Sequence, residues 1–392
     1  MSSGGAAGVS SPTMPTTTQF PRHSIDNDGD LLLRVGARHG PENPLEFKVC
    51  SATMRRASPV WKNMLFGPWK EAKPAQGDWI VELPEDKPST IKTLLSIIHG
   101  LFANVPKSVT LPVLNDILIL ADKYDVIHIV RPWAGTWAEA VKNPKSSKAT
   151  ASIPTYYYGH PLSSAVPVLE LTGKDHVMRI HAAWELGCED VVSAEITDFV
   201  FNLSVVGGKT TWYYYKFESL EFHSHFGPPD LVGKSLCPIS ACGFINATLE
   251  IVKGLRLSLI QTLLDFYHEV VESRTQSTPA CTYGGYSSFG RNERQLCDTV
   301  ILGGIWQCLK KASLESLPVK AEDYCHSANV LMQTLSGMFA NLPCLHQSRQ
   351  DCSPVKKYSE FETKMKEDER WKNVLRPHHK ERMAAQRGKT GL

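Results

Sequence analysis

The feature that most constrains the fold is a run of short, sharply punctuated apolar segments between Asp28 and Val141. Asp30-Leu31-Leu32-Leu33-Arg34-Val35 follows an Asn/Asp/Gly cluster and reads as a strand. Gly36 to Pro44 is rich in Gly and Pro and reads as a turn. Leu45-Glu46-Phe47-Lys48-Val49-Cys50 alternates apolar and charged residues, the pattern of a half-buried strand, so the two strands make a hairpin. Ser51 can cap a helix through its hydroxyl. Pro59 divides the apolar residues that follow (Met54, then Val60, Trp61, Met64 and Leu65) into two short helices, because its ring removes an amide donor and clashes with the preceding turn.

Trp79 to Leu83 reads as a third strand. Pro88 opens a helix with Ile91, Leu94, Leu95, Ile98 and Leu101 at helical spacing. A second helix from Pro112 carries Leu114, Ile117, Leu118, Ala121 and Tyr124 on one face, and a shorter one runs from about Trp133 to Val141. The expected organisation is a disordered tail over 1–24, an α+β domain over 25–142 and a Pro/Ser/Thr-rich linker over 143–174. A mainly α-helical domain then covers 175–345, and a charged, partly helical or disordered tail covers 346–392. Within the helical domain, helices are expected near Asp175–Leu186, from Glu189, and at Leu249–Glu272, Leu296–Ala312 and Ala321–Ala340. The stretch 205–248 is irregular, and 232–248 reads as a lineage insertion or as retained non-coding sequence.

The order strand, strand, helix pair, strand, helix, helix, helix resembles the BTB/POZ domain. The resemblance rests on Asp30-Leu31, Phe47-Lys48-Val49-Cys50-Ser51, Ser58-Pro59-Val60-Trp61-Lys62-Asn63-Met64-Leu65, Ile98-His99-Gly100 and, most specifically, Leu120-Ala121-Asp122-Lys123-Tyr124-Asp125. Ala183-Trp184-Glu185-Leu186-Gly187 is similar to a stretch of fungal BTB proteins whose second half is helical. The resemblance implies a short mixed sheet flanked by helices and a non-enzymatic binding module. It also implies homo- or heterodimerisation through a face that would include Asp30, Leu31, Leu33, Met54, Trp61 and Met64. Met54, Trp61 and Met64 suit a domain core better than an interface, and Asp30 suits a turn cap equally well. The family also implies a possible cullin partner and a role as ubiquitin-ligase adaptor. The corresponding loop here, Leu101 to Thr110, lacks the acidic residue that family adaptors often carry.

Other chemistry finds little support. Gly227 to Gly233 leaves five residues where a phosphate-binding loop needs four, and Pro228 and Pro229 remove two amide donors. No Gly-x-Ser-x-Gly or His-Glu-x-x-His is present, and His223-Ser224-His225 stands alone. Cys344, His346 and Cys352 lie close together and Cys325-His326 lies upstream, yet there is no Cys-x-x-Cys pair. Most of Cys281, Cys297, Cys308 and Cys325 sit in or beside helical apolar patterns and read as small buried hydrophobes. No catalytic residue, metal or cofactor is therefore expected.

The net charge of +2 argues against a uniformly basic nucleic-acid binder. Residues 353–392 hold eleven Lys/Arg and six Asp/Glu, so the remainder is mildly acidic, and a transcriptional role would have to use that tail. No apolar run is long enough to span a membrane, no secretory signal opens the sequence, and ten thinly spread cysteines suit an intracellular protein, nuclear or cytoplasmic.

Overall fold

The computed structural model describes residues 20–143, 156–157, 160–161, 173–206, 209–212, 220–222, 239–282, 288–311, 316–343, 345, 352–372 and 374–392 of the 392-residue chain. The expectations for the first 19 residues, for most of the 143–174 linker, for most of the irregular stretch 205–248, and for Cys344 and His346 fall on residues outside these. The architecture is α+β: a small mixed four-stranded sheet with a mainly helical remainder. The chain divides into two compact units, 1–105 and 106–392, and the division falls inside the stretch 25–142 read above as one domain.

The first unit is built on a sheet of order β1-β3-β2-β4, formed by β1 (Arg22–Ser24), β2 (Leu31–Val35), β3 (Leu45–Val49) and β4 (Ile80–Leu83). β2 pairs antiparallel with β3, as the hairpin pattern requires, and parallel with β4. β1 lies within the stretch expected as a tail. It pairs parallel with β3 because the outer edge of β3 is open to it and because charge fixes its register.

Arg22, Glu46 and Arg34 face one another across β1, β3 and β2, and Arg34 faces Glu82 on β4, so signs alternate across all four strands. The Glu46 carboxylate is buried and accepts from Arg22 Nε at 2.6 Å and Arg34 Nε at 3.0 Å. Burial alone would raise its proton affinity, but the two guanidiniums outweigh that and hold the carboxyl below its ordinary range. A one-residue slip would set Arg against apolar partners and turn the apolar face outward, so this ladder specifies the pairing. On the other face Leu31, Leu33, Val35, Phe47, Val49, Val81 and Leu83 are all buried. Helices α1 (Ser51–Ala57), α2 (Pro59–Phe66) and α3 (Pro88–Ile98) add Met54, Trp61, Leu65, Ile91, Leu94 and Leu95 to that core.

The second unit starts with α4 (Leu111–Lys123), α5 (Arg131–Trp137) and α6 (Glu139–Lys142). It continues with α7 (Gly173–Leu186), α8 (Glu189–Asn202), the long α9 (Ile239–Glu272), α10 (Ser288–Lys311) and α11 (Ala328–Ala340). α9 begins at Ile239 rather than Leu249, and a 3-10 turn at Ala321–Asp323 precedes α11 where one continuous helix was expected. Arg256 on α9 is buried and donates to three backbone carbonyls: Leu203 at 2.7 Å, Tyr324 at 2.8 Å and His326 at 2.7 Å. One guanidinium fork thus joins three chain segments.

The C-terminal segment differs most from expectation. Residues 355–390 form α12 (Val355–Glu367), α13 (Glu369–Lys372) and α14 (Pro377–Thr390), and these pack into the second unit. Tyr358, Met365, Trp371 and Met383 are buried. In α12, Tyr358 and Met365 share the buried face, whereas α14 turns inward His379, Met383, Gln386 and Thr390, a mostly polar set. α14 lies against α7, where Gly187 (φ +81°) lets its backbone approach: a Cβ there would sit 2.6 Å from the Met383 carbonyl. No helix among the described residues is long and apolar enough to cross a membrane.

Candidate interaction surface

The helix pair α1–α2 is positioned by contacts that begin far away in sequence. The residue before α1, Cys50, supplies no side-chain cap. The cap comes instead from Asp30, whose carboxylate accepts from the Ser51 amide at 2.9 Å and the Ser51 hydroxyl at 2.8 Å. Partial burial pushes the Asp30 pKa up, but these bonds and the Lys73 charge prevail and hold it below the ordinary range. The Cys50 amide donates to His99 Nε2 at 3.1 Å, so that nitrogen must carry the lone pair, and Nδ1–H is left to donate to the Leu95 carbonyl at 3.0 Å. Burial keeps this imidazole's pKa low and its ring neutral. Ser58 then caps α2 by accepting from the Trp61 amide at 3.0 Å, with Pro59 at the first helical position.

The residues proposed for an interface from the resemblance separate into two groups. Leu31, Leu33, Met54 and Trp61 lie inside the first unit, at 0%, 0%, 0% and 2% exposure, because their side chains fill its own core. Asp30 is exposed at the mouth of the helix pair, and Met64 is half-buried. The outward face of the pair is formed by other residues: Arg55, Arg56, Lys62, Phe66 and, just beyond α2, Trp69. Phe66 is 46% exposed and Trp69 62%. The Arg55 guanidinium lies 4.9 Å from the centre of the Phe66 ring, and Phe66 meets Trp79 edge-on at 5.8 Å. Gly67 makes this turn possible, since a Cβ there would lie 2.3 Å from the Asn63 carbonyl and 3.1 Å from the Trp69 ring. The cue in the sequence was Phe66-Gly67-Pro68-Trp69, two aromatics around a Gly-Pro break. Residues 51–70 contain four Arg/Lys and no Asp or Glu. This surface is aromatic and cationic together, a composition that favours partner contact.

The perturbed acids of the second unit are structural. Glu185, fully buried on α7, accepts from Gln386 at 2.8 Å and from Arg382 at 3.3 Å on α14. Burial, with the nearby Asp122 charge, pushes its pKa up to about 7. Asp198 on α8 is likewise pushed up to about 6 by burial and bonds Asn202. His181, buried and pushed down to about 4, pairs with Asn115 at 2.8 Å. A cleft of about 670 Å³ in this unit is lined by Gly187, Cys188, Glu189, Asp190, Ser193 and Arg387 among others, and none of the three perturbed groups lines it. A general acid or base has to reach a substrate, and these groups are committed to helix contacts. The tail cations are similarly engaged: Arg382 with Glu185, Lys380 with Glu189, Lys357 with Glu269, and Arg387 with the Gly187 carbonyl. Comparison with family models, with curated proteins and with solved structures found no match to this chain.

Proposed function

We propose that this chain is a non-enzymatic protein-interaction module of the BTB/POZ type that self-associates through the outward face of α1–α2. The observation that carries the reading is the solvent-facing pair Phe66 and Trp69 on a helix pair that Asp30 and His99 hold in place. Two large aromatics left in water gain free energy when a second surface covers them. The order β2, β3, α1, α2, β4, α3, α4 is the one the resemblance implies, and it supports the family assignment. The helical half would carry a further partner, with Trp306 on α10 58% exposed.

A second reading is favoured by one specific observation. Four cations and no acid on residues 51–70 repel a symmetry-related copy of the same face, and would attract an acidic protein instead. A cullin-type partner would belong to this second class. Size-exclusion chromatography with light scattering on the full chain, at low and high salt, separates the two. Self-association predicts a dimer for the wild type and a folded, cooperatively melting monomer for the Phe66→Ser/Trp69→Ser chain. A wild-type monomer at every concentration and salt overturns the self-association reading.

A further inference from the structure

We propose that Cys281, Cys297 and Cys352 form a binding site for a single thiophilic divalent cation of the zinc class. Their sulfur atoms lie within 4.8 Å of one another, all three residues are buried, and none is in a disulfide. They come from three places in the second unit. Cys281 lies in the segment after α9, Cys297 within α10 and Cys352 on the turn leading into α12. Tetrahedral zinc with metal–sulfur bonds of about 2.3 Å separates its sulfurs by roughly 3.8 Å. The present spacing is thus within about 1 Å of a coordinating one, a change that small side-chain rotations supply.

The surroundings are built for charge. Arg274 lies beside the cluster: its guanidinium donates to the Cys352 carbonyl at 2.9 Å and stands 3.8 Å from Asp298. Asp298 follows Cys297 in the chain and accepts from the Ala280 amide at 2.8 Å and the Cys281 amide at 3.4 Å, which fixes the Cys281 backbone. Yet Asp298 Oδ1 and Arg274 Nε are buried and have no hydrogen-bond partner. They face each other as a buried ion pair at 3.8 Å, too long for a hydrogen bond, beside the three soft ligands. Three thiolates around a divalent ion carry a net −1, and the Arg274–Asp298 ion pair beside them adds no net charge to it. Ligation releases the three thiol protons to solvent. Cys352 also borders an open cleft of about 460 Å³ lined by Arg274, Ala280, Ser353, Lys357 and Glu360, which provides the entry path and a fourth, solvent-supplied coordination position.

The test uses the full chain, reduced and stripped with a chelator, then titrated with Co(II) and with Zn(II). The expected result is one equivalent bound, with thiolate-to-cobalt charge-transfer absorption and the intense visible bands of a tetrahedral ion. Zinc X-ray absorption should give sulfur neighbours at about 2.3 Å. Cys297→Ser and Cys352→Ser should each lose the bands and the stoichiometric zinc. Cys308→Ser and Cys325→Ser should keep both. Where the first two variants fail to fold, the wild-type absorption spectrum decides: three sulfur neighbours support the site, two or fewer overturn it. Absence of charge-transfer bands in the reduced wild type, bands that survive both Cys297→Ser and Cys352→Ser, or a ready Cys–Cys disulfide within the trio that excludes metal would each overturn the proposal.

Discussion

Replacing Glu185 by glutamine should stabilise this protein at high pH and leave it nearly unchanged at low pH. The carboxyl is fully buried between α7 and α14, and its pKa is raised from an ordinary 4.5 to about 7. In the unfolded chain it ionises near 4.5; in the folded chain it holds its proton up to about 7. Between those values the folded state binds more protons, so stability falls as pH rises, by up to about 1.4 kcal/mol per pH unit. The accumulated loss is about 3 kcal/mol, complete above pH 7 and absent below pH 4.5.

Glutamine keeps the shape and an acceptor oxygen for Gln386 but cannot ionise, and it forgoes the longer 3.3 Å bond and charge contact with the half-exposed Arg382. Urea unfolding of both chains at pH 5 and pH 8 gives four stabilities. Their double difference cancels every other titrating group, including Asp198, which acts in the same direction. A double difference of about 2.5 kcal/mol in favour of the variant at pH 8 is expected, since part of the loss is already present at pH 5. Hydrogen exchange across Pro377–Thr390 should show the same dependence locally, because α14 carries the Gln386 and Arg382 contacts. If the variant is destabilised equally at both pH values, the Arg382–Glu185 ion pair dominates and the argument from burial fails.

Two further outcomes test the framework. Asp30→Ala removes the cap of α1 and should cost about 1 kcal/mol in chemical unfolding, with Ser51→Ala costing less, while the oligomeric state stays unchanged if Asp30 serves the fold rather than the interface. Arg256→Met strips three carbonyls of their donor, those of Leu203 and Tyr324 in buried bonds, and should cost about 3 kcal/mol, seen as a fall of roughly 5 °C in melting temperature. Arg256→Lys should recover only part, since an ammonium cannot reproduce the planar fork.

Period and punctuation made much of the first unit legible. The two-residue alternation of β2 and β3, the proline at the head of α2, and the apolar stripe of α3 are local signals, and the structure forms those elements close to where they were read, α3 ending at Ile98, three residues short of Leu101. β1 was missed because three residues with no apolar pattern become a strand only when a neighbouring edge and Glu46 hold them. The proposed interface residues Leu31, Leu33, Met54 and Trp61 turned out to be packed inside their own unit. An apolar residue in sequence announces burial, but not which surface buries it.

In the second unit the locally amphipathic helices could be anticipated, whereas their partners could not. The tail reads as charged and solvated on average, and only the packed structure brings Tyr358, Trp371 and Met383 into the core and sets Gln386 against Glu185. Cys281, Cys297 and Cys352 each look like small apolar residues where they stand, and no spacing rule joins them. Their meeting within 4.8 Å beside Arg274 and Asp298 follows from how α9, α10 and the turn before α12 are placed. By itself the sequence determined what each short segment could form, because backbone preference and periodicity act over a few residues. Tertiary structure decided which charges, thiols and aromatics share a site, because long-range contacts depend on the closure of the whole chain and leave no mark at any one position.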